Sequence, residues 1–353
     1  MKFNKEEIAI YSAFDVKPTL LKDFYKKSFN NRVNSLELNW KWLNRTNFYE
    51  NKTPLVLVYQ NQVIAHSGIM PFNISMNNKI CMASWYIDFK ILPEFQRQGL
   101  GTVLIKECMK YSKISMAFCN EKSIGVVKKL GWLESFDTYM HLNFMYPFNH
   151  PRFVRKLPTF FRKTLNYFSY PLFFLIHNRY AYSINFYKLE KFNEKSFNSF
   201  FDFYINARQK QKNTTSPQRE MDYVEWRIFN SPNKDNYYIY KTETFSALIL
   251  LHNNKGAYID ILWVSDTNNK TEIKRLISTM GIYGLKNHFS YVRFYTSKKD
   301  LSDYIRKKTI SFVRHPRFAY FSPIPSLFDK LKTANWDFEL IDSDFERISS
   351  IRR

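Results

Sequence analysis

The sequence predicts an α/β (α+β) protein made of two consecutive copies of one mixed, mostly antiparallel sheet flanked by helices. Three observations carry that expectation. The chain has 353 residues, more than one hydrophobic core ordinarily serves. Its first half alternates short apolar runs with amphipathic stretches in the order helix, strands, helix, strand, helix, strand. Its second half echoes part of that order at a constant spacing.

In chain order, Phe24 to Leu43 has a helical pattern, with Leu36, Leu38, Trp40 and Trp42 near its end and the polar run Asn44-Arg45-Thr46-Asn47 breaking it. Three apolar runs follow as antiparallel strands: Pro54 to Tyr59, Val63 to His66, and Ile80 to Phe89. Asn77-Asn78 is the clearest turn between them, and Pro93 closes the last strand. Leu100, Val103, Leu104, Cys108 and Tyr111 then recur at helical spacing opposite Lys106, Glu107, Lys110 and Lys113. Ile114 to Cys119 reads as a buried strand, and Ser123 to Leu130 as a short helix stopped by Gly131. This first domain is expected to span residues 1–148.

Residues 149–192 change character, with Pro151, Pro158 and Pro171 among aromatic and basic residues. They read as a connector with helical pieces. Its apolar patch, Tyr170 to Ile176, is too short to span a bilayer. With Arg152, Arg155, Lys156, Arg162 and Lys163 upstream, the stretch 152–176 suits an anionic membrane surface. Packing between two domains is the favoured reading, because proline interrupts a sustained amphipathic helix.

A second domain is expected over 193–353. Trp40-Lys41 followed by Asn44 has a counterpart in Trp226-Arg227 followed by Asn230. Ile259 lies 172 residues after Ile87, and the same spacing pairs Asp88 with Asp260, Leu104 with Leu276, Ile105 with Ile277 and Tyr111 with Tyr283.

The net charge of +22 raises polyanions as partners, yet the basic residues are spread along the chain without a long block, so a dedicated nucleic-acid surface is not expected. Cys81, Cys108 and Cys119 show neither CxxC spacing nor a histidine cluster and read as small core residues, with no metal site. No uninterrupted apolar run reaches about 18 residues and the start lacks an apolar leader, so a cytoplasmic protein is expected.

Chemistry concentrates at Gln96-Arg97-Gln98-Gly99-Leu100-Gly101. A strand running into two glycines and then a helix points several unpaired backbone N–H groups at one spot, which attracts phosphate. Gly99 and Gly101 let the backbone approach a ligand closely. Neither GxxxxGK[ST] nor GxGxxG is present, which argues against nucleoside triphosphate and dinucleotide sites. What remains is Q-x-x-G-x-G. At this point the chain resembles the GCN5-related N-acetyltransferase (GNAT) superfamily, whose acetyl-CoA loop has the pattern [QR]-x-x-G-x-[GA] after its fourth strand. Ile91-Leu92-Pro93 looks like the family's strand end, and Asn120, Ser123, Gly131 and Trp132 match its second motif, N-x-x-[AS] followed by a helix and G-[FWY]. The resemblance covers roughly residues 20 to 145.

The resemblance implies tandem GNAT-like domains with acetyl-CoA as co-substrate, held by Ile91, Gln96, Arg97, Gln98, Gly99, Leu100, Gly101, Thr102, Asn120 and Ser123. The Ile91 N–H would polarise the thioester carbonyl. Val127 stands where the family often has a tyrosine to protonate the departing thiolate. For the base that deprotonates the amine, Asp88 is the first candidate and His66 the second; the repeated Asp88/Asp260 pair also fits a role in the fold. In the second half the aligned loop, Asn268 to Ile273, has Thr271 and Ile273 for the glycines and Glu272 where phosphate would sit, so that copy should not bind CoA. The tail Trp336 to Phe345 looks like the end of double-domain GNAT proteins of bacterial surface-polysaccharide pathways.

These expectations lead to direct amine attack on acetyl-CoA, with a small amine such as a nucleotide-linked amino sugar as acceptor. Two alternatives stand beside it: an aminoacyl-tRNA-dependent transferase of the double-GNAT type, and a non-catalytic protein binding nucleic acid or a membrane surface.

Overall fold

The computed structural model describes residues 5–29, 54–76, 79–149, 156–181, 187–208, 214–252 and 257–342. Its strands in chain order are β1 (Ala9–Ser12), β2 (Leu55–Tyr59), β3 (Gln62–Met76), β4 (Lys79–Ile91), β5 (Ile114–Cys119), β6 (Leu133–Ser135), β7 (Tyr139–Phe144) and β8 (Lys188–Lys191). There follow β9 (Ser216–Pro217), β10 (Tyr237–Lys241), β11 (Ser246–His252), β12 (Tyr258–Val264), β13 (Tyr291–Thr296), β14 (Ser311–Arg314) and β15 (Arg317–Phe321). The longer helices are α1 (Pro18–Phe29), α2 (Leu100–Cys108), α3 (Glu121–Lys128), α4 (Thr159–Asn178), α5 (Glu194–Arg208), α6 (Lys270–Lys286), α7 (Lys299–Lys308) and α8 (Pro325–Lys332).

Two compact units share the chain in interleaved pieces. The first takes the described residues up to Phe136 together with Thr215–Pro232 and Arg317–Asn335; the second takes Asp137–Thr214, Asn233–Pro316 and the described residues from Trp336 onward. The contiguous division at 148 and 192 does not follow these units. Strand exchange is the reason. β7 follows β6 after three residues yet pairs with β13 and β14, while β15 follows β14 after two residues yet pairs with β5 and β6. Each sheet therefore ends in the same pattern, β4-β5-β15-β6 in one and β12-β13-β7-β14 in the other. The matching orders support the duplicated architecture. Where the chain crosses over, Thr138 donates its hydroxyl to the Pro316 carbonyl, and the Thr138 carbonyl faces His315 Nδ1 at 3.0 Å.

The first sheet runs β1-β2-β3-β4-β5-β15-β6, with β9 added on β3. Only β4 and β5 pair in parallel along it. On one face α1, α2 and α3 bury Phe24 and Tyr25, Leu104, Ile105 and Cys108, and Ile124 and Val127 in a common core. The opposite face carries an aromatic row: Trp85 stacks on Phe72 at 5.7 Å and on Phe118 at 5.1 Å, and Phe118 meets Phe318 at 5.6 Å. Helix α1 starts at Pro18, earlier than the Phe24 expected, because proline is tolerated in a first helical turn where no N–H bond is needed. The remainder of that expected helix, the Asn77-Asn78 turn, and the Trp40-Lys41-Asn44 part of the proposed repeat lie outside the described residues.

β15 is clamped into the first sheet by charge. Arg317 donates Nε and Nη2 to the two Glu134 carboxylate oxygens at 2.5 and 2.9 Å, and Lys128 reaches Glu134 at 2.6 Å. Arg317 first, and Lys128 after it, outweigh partial desolvation and hold the Glu134 carboxyl down to about 2. A lowered carboxylate stabilises the fold above its unfolded pKa, and that contribution disappears as pH falls toward the folded value. In urea unfolding, Glu134→Gln should be less stable than wild type at pH 7, and the gap should close between roughly pH 4.5 and 2. A gap unchanged down to pH 2 would contradict this.

The second sheet runs β14-β7-β13-β12-β11-β10-β8, again with one parallel pair, β12 and β13. Helix α6 buries Ile273, Leu276, Ile277, Met280 and Leu285 against it, and α5 wraps Phe200 and Tyr204 around Trp263, each at 4.7 Å. The segment expected as a broken connector is instead one continuous helix, α4, with Pro171 inside it. Pro171 is exposed, and the carbonyl that loses its N–H partner belongs to Tyr167, which is also exposed, so solvent replaces the missing bond. The inner side of α4 packs on α6, where Gly281 leaves the space that the His177 ring fills: a Cβ there would lie 2.2 Å from the ring. Among the described residues no helix is long and apolar enough to cross a membrane.

Candidate active site

The site begins at an irregularity in the β3/β4 ladder. His66 pairs with Lys90 and Gly68 with Ile87, so Asp88 and Phe89 face the single residue Ser67, and Asp88 adopts φ +53°. A bulge of this kind bends the strand and breaks its pairing. Parallel pairing between β4 and β5 ends just before it, at Trp85 with Met116, and a gap opens between the two strands.

His66 braces the bulge. Its ring is fully buried; Nδ1 lies 3.0 Å from the Asp88 carbonyl and Nε2 lies 2.9 Å from the Tyr25 hydroxyl. A carbonyl only accepts, so Nδ1 carries the hydrogen, and Nε2 shares the other bond with the Tyr25 hydroxyl. Burial, with the Asp88 charge added, raises the Tyr25 pKa and keeps that phenol a donor. Both ring nitrogens are thus engaged inside the core, which leaves the half-buried Asp88 as the candidate of the two that can reach a substrate. Tyr25 carries no motif, and its part in this brace was not foreseen.

Beyond the bulge the ladder resumes. Ala65 faces Ile91, and the next bond runs from the Leu92 N–H to the Ile64 carbonyl at 2.9 Å. Alternation in an antiparallel pair therefore turns the N–H and C=O of Ile91 away from β3, toward the side β5 has left. The Gln96 side chain confirms that direction by donating to the Ile91 carbonyl at 2.9 Å. Gln96 ties the loop to the strand end, and Gln98 likewise bonds the Glu94 carbonyl at 3.3 Å. Arg97, at φ +63°, is exposed in the same loop.

Gly99 is the N-cap of α2 at φ +84°, a conformation that favours glycine, and no side chain caps the helix. The Thr102 N–H already bonds the Gly99 carbonyl at 3.0 Å, whereas the N–H groups of Gly99, Leu100 and Gly101 have no partner among the described residues. Gly101 serves packing: a Cβ there would come 3.1 Å from Phe89 Cζ, so the absent side chain lets α2 sit against the end of β4.

Across the gap, Asn120 and Ser123 form a capping box at the start of α3. Asn120 Oδ1 accepts from the N–H groups of Lys122 and Ser123 at 2.9 and 3.0 Å, and Ser123 Oγ accepts from the Asn120 N–H at 2.9 Å. These residues shape the helix start that borders the gap. Val127 is buried in the core, so no hydroxyl stands at that position. Cys119 ends β5, and burial pushes its thiol up to about 11 despite a bond from Ser123. Among the described residues no cluster of His, Cys, Asp and Glu could hold a metal.

The second unit repeats the frame and closes it. There the bulge sits at Leu262, and the Ser265 N–H bonds the Ser246 carbonyl as Leu92 bonds Ile64, so Val264 is the counterpart of Ile91. Its N–H is occupied by Glu339 Oε1 at 2.7 Å. Asp337 accepts from Thr267 at 3.1 Å and pairs with Lys298 at 3.2 Å in front of α6, whose Asn269 caps the Glu272 N–H. Trp336, Phe338, Leu340 and Ile341 are all buried, and the turn Leu340–Asp342 packs on both β12 and β13. The chain's own residues 336–342 thus fill the place that no described residue of the first unit occupies. Asp260, moreover, lies before the bulge, in a paired stretch opposite Arg293, and is not the structural counterpart of Asp88.

The model described as Acetyltransferase (GNAT) family matches residues 19–132. No curated protein matches the sequence. Among solved structures, a GCN5-related N-acetyltransferase from Kribbella flavida aligns over 90% of this chain and 72% of its own, with TM-score 0.56 and 12% identity. Saccharomyces cerevisiae N-myristoyltransferase with bound myristoyl-CoA aligns over 91% and 84%, with TM-score 0.56 and 12% identity. A probable N-acyltransferase from Enterococcus faecalis V583 aligns over 89% and 72%, with TM-score 0.57 and 11% identity. At these identities the likeness is one of fold.

Proposed function

We propose that this chain, whose residues 19–132 match the acetyltransferase (GNAT) family model, is an acyl-CoA-dependent N-acyltransferase that transfers acetyl from acetyl-CoA directly to a primary amine. The observation that carries the reading is the uncapped first turn of α2 behind Gly99, a short loop away from the outward-turned N–H of Ile91. The pyrophosphate would lie on the N–H groups of Gly99, Leu100 and Gly101, with Arg97 adding charge. Ile91 would then donate to the thioester carbonyl oxygen as it gains negative charge.

In this scheme Asp88 takes the proton from the acceptor ammonium. The neutral nitrogen attacks the thioester carbon, the C–N bond forms, the C–S bond breaks, and the nitrogen gives its second proton to solvent as the amide forms. With Val127 in the acid's usual place, the sulfur leaves as thiolate and takes its proton afterwards from solvent. A covalent route through Cys119 is disfavoured, because a thiol held up to about 11 is protonated at neutral pH. An amino sugar, free or nucleotide-linked, suits the acceptor role, and a place in surface-polysaccharide synthesis follows from that choice.

Acetyl-CoA should raise the melting temperature of the wild-type protein saturably, and amino-sugar acceptors should release free thiol. Asp88→Asn should keep that thermal shift while lowering kcat about 100-fold and removing the acidic limb of the pH–rate profile. A wild-type protein whose melting temperature ignores acetyl-CoA would overturn the proposal, and an unchanged kcat in Asp88→Asn would remove Asp88 from it.

A further inference from the structure

Helix α4 carries more exposed apolar surface than a protein in water ordinarily shows on one element. Phe161, Leu165, Phe168, Leu172 and Leu175 recur at spacings of four and three residues and form one outward stripe. They are exposed by 57%, 37%, 73%, 58% and 66%, and Phe160 and Tyr167 beside them by 74% and 77%. The other side of the same helix is accounted for: Asn166 and His177 are buried, and Tyr170, Phe173 and Phe174 pack against the second unit's core. The outward side is thus not a core face that lacks its partner within the unit.

Two observations bear on its occupant. Between Asp137 and Glu190 the sequence contains no acidic residue and seven Lys or Arg. Lys156, Lys163 and Arg179, at or near the ends of α4, are exposed. A basic border around an apolar face complements an anionic surface. The width of the face also matters. With Phe160 and Tyr167 included, the apolar arc spans about half the helix circumference, broader than the narrow seam that a second helix buries in a coiled coil. Phenylalanine, leucine and tyrosine bordered by basic residues suit a helix that lies in the headgroup region of a bilayer.

We propose that α4 is an interfacial helix that docks this protein on an anionic bilayer surface. Its outward side chains enter the boundary between headgroups and acyl chains, and its basic neighbours meet the lipid phosphates. Docking leaves the helix in place, because its inner face is already packed. The proposal stands apart from the acetyl-transfer reading: vesicle binding needs no acetyl-CoA and no acceptor.

Flotation with phosphatidylglycerol vesicles and with phosphatidylcholine vesicles tests it at about 0.1 M salt, where surface charges are screened beyond about 10 Å. Wild type should float with the anionic vesicles and far less with the neutral ones. Phe161→Ser/Leu165→Ser/Phe168→Ser/Leu172→Ser, which alters only exposed side chains, should keep the wild-type melting temperature and bind anionic vesicles about 100-fold more weakly. Lys163→Glu/Arg179→Glu, with the apolar face intact, should weaken binding about tenfold or more. Three results would overturn the proposal. Wild type could ignore anionic vesicles. The four-serine variant could bind as well as wild type, which would assign the effect to diffuse charge. Or wild type could sediment as a dimer that the serine variant splits and that no vesicle captures, which would make the face a self-association surface.

Discussion

Arg293→Ala is expected to cost the second unit about 3–5 kcal/mol, the range for removing one partner of a buried ion pair. Arg293 and Asp260 are both fully buried, joined by Nε to Oδ1 at 2.7 Å and Nη2 to Oδ2 at 2.6 Å across the parallel strands β12 and β13. Burial opposes the charge on Asp260, and Arg293 with His252, 2.8 Å away, more than offsets it, so the carboxyl titrates below its ordinary value. Alanine would leave that carboxylate in the core with only His252 beside it. The pair is not itself a large net gain, because both ions lost their water on folding. Asp260→Leu/Arg293→Leu should therefore recover most of the loss. Urea unfolding of the wild type, the single variant and the double variant measures both quantities. A single variant within about 1 kcal/mol of wild type would show that the pair is hydrated in solution.

Gly99→Glu should lower acetyl-CoA affinity about 30- to 150-fold while leaving the fold intact. No atom lies within 4 Å of where the new Cβ would stand, so packing is undisturbed, but φ +84° costs a non-glycine residue about 1–2 kcal/mol. The larger effect is electrostatic. A carboxylate placed beside the N–H groups of Gly99, Leu100 and Gly101, which have no partner among the described residues, competes with the pyrophosphate for the same donors and repels it. Losing charge-assisted bonds worth about 2–3 kcal/mol corresponds to roughly 30- to 150-fold in affinity. Titration calorimetry with acetyl-CoA checks the magnitude, and circular dichroism checks the fold. Affinity within threefold of wild type would place the donor somewhere other than this loop.

Legibility in the sequence varied with range. The Gln96–Gly101 loop, the strand before it and the helix after it were readable because glycine at positive φ and helical spacing are local properties. Asn120 and Ser123 were readable as a motif, though their visible work is a capping box. The helix through Pro171 is not legible in the sequence, because proline's cost there depends on this residue and Tyr167 facing solvent, which the tertiary packing sets. His66 looked like a second base and proved to be a brace, because its partner Tyr25 is 41 residues away. Asp260 looked like the twin of Asp88 at fixed spacing, and the bulges in the two ladders separated them.

By itself, then, the sequence determined the kind of elements, the glycine-marked loop at the end of β4 and the loss of that loop from the second half. Each rests on residues within a turn or two of one another. Only the tertiary structure decided that β7 and β15 trade sheets, that Glu339 takes the Val264 N–H 75 residues before it, and that one face of α4 is left outward. These depend on backbone groups and apolar surface finding partners far along the chain. Such pairing is set by which edges and faces remain unsatisfied after local structure has formed.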